Sequence, residues 1–353
     1  MRKRSLFSLG CYGLAIIIFS CLPGAWSAPH NTTTDRVSKR DITVKDTSCV
    51  GEWEGNVRDA LAEAEDIVNF AIQRLATLVT ILSSNPVPTI AGMSNADRTV
   101  FRTYEAFFGQ VYFGTDTAAD RRNNVAAMER LQAVLMNAQI VWTALRAKNS
   151  AAVNLEIWCD DDFLRDEDPT GVPGIGHNKF DTRKWDDLQI GQWLGMAAGK
   201  CSSNAGLSAY TYEFKVLGVP DESVIVLCPA KMRGWAARYS SGDVIFNYHG
   251  APVDHDELKE VDYIWGYLPL TLIHEFTHAE TVMGAGNTLV DQPVNGGTAY
   301  QWQAIRQLAQ QNPQGALTNS DTFSLFLGAI YWNKQDWSTG VAQRLGLTRM
   351  GPA

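Results

Sequence analysis

The sequence predicts an α+β fold, mainly helical with a small β-sheet, and three observations predict it. Apolar residues recur at helical spacing over 51–84, at Val57, Leu61, Ala64, Val68, Ala71, Leu75, Leu78 and Leu82, and again over 121–148 through Met128, Leu131, Val134 and Leu135. Short runs of strand formers follow, with Val153, Leu155 and Ile157 before Cys159, then Tyr210 to Phe214 and Val224 to Leu227. Finally, an uncharged stretch from Tyr263 to Ile273 runs straight into His274-Glu275-Phe276-Thr277-His278.

From the N-terminus, Arg2-Lys3-Arg4, an apolar run from Leu6 to Leu22 and the small residues Ala25 and Ser27 have the layout of a secretory signal peptide, expected to span 1–27 with the cut after Ser27. A signal anchor fits less well, because Gly10, Cys11 and Gly13 interrupt the run and Pro23-Gly24 ends it. Residues 28–40 are polar, carry an Asn31-Thr32-Thr33 glycosylation sequon and end in Lys39-Arg40. They read as a short propeptide of a zymogen, or as a charged loop. The chain is expected to be secreted and extracellular. Beyond Arg40 there remain 24 basic and 37 acidic residues, a net charge of −13, which argues against nucleic acid or an anionic membrane as partner.

The remaining length is enough for one large domain or two closely packed subdomains, expected as an N-terminal helical subdomain over 41–150 and a second region over 151–353. Asn85-Pro86 and Gly114-Thr115-Asp116 divide the first part into separate helices. Beyond the leader the chain keeps Cys49, Cys159, Cys201 and Cys228. They have no CxxC spacing, so disulfides are expected rather than metal ligation, and the connectivity is open at this level. The acidic run from Asp160 to Asp168 has two readings, a solvated loop or a calcium site, but lacks the spacing of an EF-hand loop. His177, His249 and His255 read as surface histidines.

The pentad at 274–278 has the HExxH form. On a helix, positions four apart share a face, so both imidazoles reach one metal while Glu275 sits beside them as a general base for a metal-activated water. A chance match on an ordinary helix is the bland alternative. Pro269 marks the first turn of that helix. Zinc needs a third protein ligand. The metzincin pattern fails, since Thr281 and Gly284 stand where Gly and His belong, and no glutamate follows Glu280, which itself points about 200° away by helical period. Asp291, Asp321 and Asp336 remain. Asp291 follows the turn Gly284-Ala285-Gly286-Asn287 and is the expected ligand, whereas Asn319-Ser320-Asp321 reads as a helix N-cap. The expected metal ligands are therefore His274, His278 and Asp291, with Zn2+ as cofactor.

At the level of motifs the chain resembles the deuterolysin-type, or aspzincin, family of fungal secreted zinc metalloendopeptidases. The resemblance rests on the pentad, Asp291, the segment Gly297 to Trp302, and Asn319 to Phe326. Upstream, Phe107-Phe108-Gly109 and Tyr112-Phe113-Gly114 near Arg121-Arg122, and Val224 to Pro229, are further echoes, so the similarity spans roughly 49–335. It implies a zincin-like fold with the sheet beside the HExxH helix and endopeptidase activity on protein or peptide substrates; the chain is expected to act as a monomer, with no membrane partner after leader removal. It also implies Cys201 paired with Cys228, leaving Cys49 for Cys159, and a role for Tyr300 in stabilising the oxyanion. Tyr300 has a packing alternative, because it leads a periodic stretch through Trp302, Ile305, Leu308 and Ala309. The chain departs from the family in one place: the compact Gly-Thr-x-Asp-x-x-Tyr-Gly unit is opened, with Asp291 nine residues before Tyr300. From another functional class, a secreted zinc-binding or host-interaction protein would share the histidines but has no physical need for Glu275.

Overall fold

The computed structural model describes residues 42–112, 114, 117–147, 153–175, 178–195, 200–250 and 259–344. The expected signal peptide and propeptide, and His177 and His255, lie outside the described residues. All the described residues fall within one compact unit. It is mainly helical α+β.

The two strongest periodic stretches are long helices, α1 (Glu52–Leu82) and α3 (Ala118–Arg146), with α2 (Asn95–Phe108) between them. Their starts follow local chemistry. Ser94 accepts the Asp97 amide at α2, and at α3 Thr117 and Asp120 cap each other's backbone amides reciprocally. The apolar stripe of α1, from Val57 to Leu82, is buried against α3 and against the later helices that carry the site.

A four-stranded sheet has the order β1-β2-β7-β6. β1 (Ile42–Val44), β2 (Leu155–Trp158) and β7 (Glu222–Leu227) run parallel, with Ile42 opposite Leu155 and Ile157 opposite Ile225. A small antiparallel sheet of β3 (Leu164–Arg165), β4 (Lys179–Asp181) and β5 (Gln192–Leu194) intervenes in sequence, with the one-turn helices α4 (Trp185–Leu188) and α5 (Lys200–Ser203). β6 (Ala209–Phe214) then pairs antiparallel with β7, Thr211 opposite Ile225, and forms the edge of the main sheet.

β7 reads as a continuous apolar run because both its faces are covered. Ile225 and Leu227 enter the main core with the helices, while Val224 and Val226 pack with Phe163, Leu164, Leu194 and Phe214 on the other face. On that second face lies a buried ion network that the sequence did not announce. Arg183, 1% exposed, donates to Glu156 and Glu222 at 2.6 Å each and forks onto Asp181, which also accepts from Tyr212. The acidic run is used internally as well: Asp160 accepts from Ser48, Asp161 from the Cys201 amide and Tyr210, and Asp166 pairs with Lys179. Disulfides join Cys49 to Cys159 and Cys201 to Cys228, the pairing the resemblance implies.

α6 (Pro229–Ser241) and the 3-10 turns Ile245–Tyr248 and Val261–Gly266 precede α7 (Leu268–His278), which packs against α1 and β6. α8 (Glu280–Met283), the hairpin β8 (Pro293–Val294) and β9 (Gly297–Thr298), α9 (Gln301–Gln311), α10 (Pro313–Leu317) and α11 (Ser320–Tyr331) follow, and the pair β10 (Gln335–Asp336) and β11 (Gln343–Arg344) comes at the end of the described residues. Among the described residues no helix is long and apolar enough to cross a membrane.

Candidate metal centre

Ten of the eleven residues of α7 are buried, so the pentad is held from every side. Pro269 lies in the first turn, as its fixed φ favours. The helix stops at Ala279, whose extended ψ of 116° opens the chain into α8. Glu280 is therefore off the metal side because the helix has ended before it, and it pairs with Lys215 at 2.6 Å. The expected 200° rotation is not the reason.

The chain then turns back. Gly284 and Gly286 sit at φ of 84° and 79°, the left-handed region that suits glycine. The Leu289 amide donates to Thr277 O at 2.9 Å, and Val290 forms a parallel bridge with Asn319. Asp291 is thus fixed between the end of α7 and the start of α11. The extra residues that separate it from Tyr300 form the β8–β9 hairpin, closed by Asn295-Gly296, both at positive φ, a pair suited to a tight hairpin turn. A hairpin closes on itself, so the insertion brings Tyr300 back to the site, and its hydroxyl donates to Asp291 Oδ2 at 2.7 Å. Tyr300 is 43% exposed, whereas Trp302, Ile305, Leu308 and Ala309 behind it are buried. Core packing does not account for it.

His274, His278 and Asp291 come together, with one ligand atom from each inside a 4.8 Å cluster. Each imidazole has its Nδ1 against an acceptor: Asp321 Oδ1 lies 2.8 Å from that of His274, and Leu289 O lies 2.9 Å from that of His278. Those partners assign the ring protons to Nδ1 and leave both Nε2 atoms as lone pairs. The two Nε2 atoms are 3.1 Å apart, and Asp291 Oδ1 is 3.4 Å from each. Tetrahedral zinc, bonded at about 2.0–2.1 Å, sets its ligands about 3.3 Å apart. Asp291 Oδ1 is also buried without a hydrogen-bond partner. Three convergent acceptors at zinc spacing, one of them an orphaned carboxylate oxygen, fit a divalent cation.

The electrostatics agree. Burial would lower the pKa of His274, but Asp321 at its Nδ1, with Glu275 and Asp291 nearby, raises it to about 9. Burial would raise that of Asp291, but the imidazoles of His278 and His274 and the Tyr300 hydroxyl hold it down to about 2. Burial and the Asp291 carboxylate together push the Tyr300 phenol up. The pocket draws positive charge, and a proton and a metal cation compete for the same lone pairs.

Of the remaining expected residues, Glu275 is 4% exposed and accepts from Thr211 Oγ1 at 2.7 Å. Asp321 is not the capping residue of α11. Asn319 occupies the N-cap, and Asp321 sits fully buried in the first turn, behind His274. Asp336 lies elsewhere, 3.5 Å from Arg102. His249 is exposed and stacks on Tyr331, outside the metal cluster. Sequence reasoning missed Thr211 and the role of Asp321. The second had a signal, a charge leading an otherwise uncharged run that must find a partner once buried.

The fold and the cluster thus define an α+β protein with a His-His-Asp group arranged to take a metal ion. Residues 267–328, which carry His274, Glu275, His278, Asp291, Tyr300 and Asp321, match the model of the aspzincin family, described as lysine-specific metallo-endopeptidase. The resemblance seen in the motifs holds there. No curated protein matches the chain.

Proposed function

We propose that this chain is a secreted zinc-dependent endopeptidase, with His274, His278 and Asp291 as the metal ligands and Glu275 as general base. The observation that carries the proposal is the spacing of the three acceptors, 3.1–3.4 Å, around the orphaned Asp291 oxygen. Zinc held there would supply a Lewis acid and would make water acidic enough to react near neutral pH. Glu275, next to His274 in α7 and held by Thr211 of β6, takes the water's proton and returns it to the leaving amine. Tyr300 is partly exposed, and its hydroxyl, which donates to Asp291 in the free site, turns its one proton to the oxyanion that develops on the substrate carbonyl. Asp321 orients His274 and keeps its proton on Nδ1. The edge strand β6, beside α7, is placed to take an extended peptide alongside it.

A zinc-storage protein would need the histidines but not a buried carboxylate between them, and Glu275 lies inside the pocket with a dedicated donor. The signal peptide at 1–27 and the propeptide at 28–40 belong to the same proposal, and the two disulfides suit an oxidising compartment.

The test is cleavage of casein by the mature protein beside Glu275→Gln, with zinc content measured for both. The variant is expected to hold zinc and lose on the order of 10²–10⁴-fold in rate. A zinc-loaded wild type that leaves casein intact overturns the proposal.

A further inference from the structure

We infer that Thr211, on the edge strand, is a positioning residue for Glu275, its hydroxyl holding one carboxylate oxygen so that the other serves as the base. The inference rests on the endopeptidase reading above. Thr211 Oγ1 lies 2.7 Å from Glu275 Oε2 and 3.2 Å from the Glu275 carbonyl. A hydroxyl carries one proton, and a charged acceptor at the shorter distance is the stronger partner. The threonine therefore donates to the carboxylate.

Such a contact orients only if the strand itself is held, and β6 is held on both faces. Side chains alternate along it, so Tyr210 and Tyr212 point to the second layer, where they donate to Asp161 at 3.2 Å and Asp181 at 2.8 Å. Asp181 is itself locked by the buried Arg183. Thr211 and Glu213 point to the helices. Glu213 accepts the Glu280 amide, the first of α8, at 2.8 Å, and Ser223 of β7 donates to Glu213 and accepts from Thr281. One strand thus grips the carboxylate of Glu275 and the start of the helix that follows α7. Glu275 lies within α7 but on the surface that faces β6, and its side chain has rotamer freedom that burial alone does not remove. A free carboxylate can also swing onto the metal as a further ligand, which removes the base. The Thr211 hydroxyl opposes both losses.

The experiment compares wild type, Thr211→Val, which keeps the shape and removes the donor, and Thr211→Ser, which keeps the donor and removes a methyl. For Thr211→Val, kcat is expected to fall about tenfold with KM within about twofold and zinc content unchanged, and Thr211→Ser is expected to recover to within about twofold of wild type. Equal kcat in wild type and Thr211→Val overturns the inference, as does a serine variant no better than valine, since the methyl would then be what matters. Thr211→Ala beside Thr211→Ser serves the same comparison should valine misfold. Crystal structures of wild type and Thr211→Val read the carboxylate directly. A wild type without activity defeats the endopeptidase reading, and the positioning stands or falls on whether Glu275 moves between those two structures.

Discussion

Two helices in contact, α1 and α7, are built on opposite plans. In α1 ten of 31 residues are buried and form one stripe, and its many charged side chains meet water on the other face. In α7 ten of eleven are buried, and in α11, packed against it, all twelve are. A helix with a wet face can leave its polar groups to the solvent. A helix without one must find every polar partner inside the protein. That is why polar residues of α7 and α11 meet one another and neighbouring loops: Thr277 bonds to Ser320, Asn319 to Ala299 and Thr322, and the Asp321 carboxylate lies 2.8 Å from His274 Nδ1, although the buried Thr271 hydroxyl finds no partner. The stripe of α1 supplies stability, while the surrounded pair holds the His-His-Asp group in a rigid frame.

If that division is right, the effects of substitutions separate along it. Leu75→Ala, in the fully buried stripe of α1, is expected to cost about 2–5 kcal/mol in the free energy of unfolding while the folded fraction keeps its zinc affinity. Urea melts with and without zinc measure both quantities, and a variant with intact stability but weakened zinc would break the distinction. The mirror case is Asp321→Asn, which keeps the volume and removes the charge behind His274. Zinc affinity should fall about 10–100-fold, read by competition with a chromophoric chelator. Unchanged affinity would show that Asp321 serves packing alone.

The smallest expected effect tests whether buried polar groups behave alike away from the site. Burial would raise the pKa of Glu156, but Lys45, Arg183 and Lys184 outweigh it and hold the carboxyl down to about 2. A carboxyl depressed in the folded state contributes stability above its unfolded value of 4.5 and loses it as pH falls toward about 2. Between pH 6 and pH 4 the part carried by Glu156 is roughly 1 kcal/mol. It appears as a shallower acid slope in Glu156→Gln than in wild type. Parallel slopes would mean that the network contributes no proton linkage there.

The same contrast explains which parts were legible from residues alone. α1 and α3 were readable because one wet face imposes a 3.6-residue rhythm, β6 because strand formers cluster over Tyr210 to Phe214, and β7 because a short apolar run before Cys228-Pro229 leaves little choice. The pentad was readable because its chemistry lies within a single helical turn. Asp291 came by elimination, with the glycine turn as its only positive sign. The hairpin that returns Tyr300 to Asp291 carried a turn signal in Asn295-Gly296 but was seen only as an insertion. Thr211, 64 residues from Glu275, had no signal at all. Neither did Arg183, whose partners are spread over three strands.

The sequence by itself determined the element types, the pentad and the residue classes available for a third ligand, because period, turn chemistry and local spacing act over a few neighbouring residues. Only the tertiary structure decided that Asp291 meets His274 and His278, that Asp321 stands behind His274 and that Thr211 meets Glu275. Those contacts depend on which surfaces are buried against which, and burial is a property of the whole packed chain: it turns ordinary polar residues into partners that cannot turn to water.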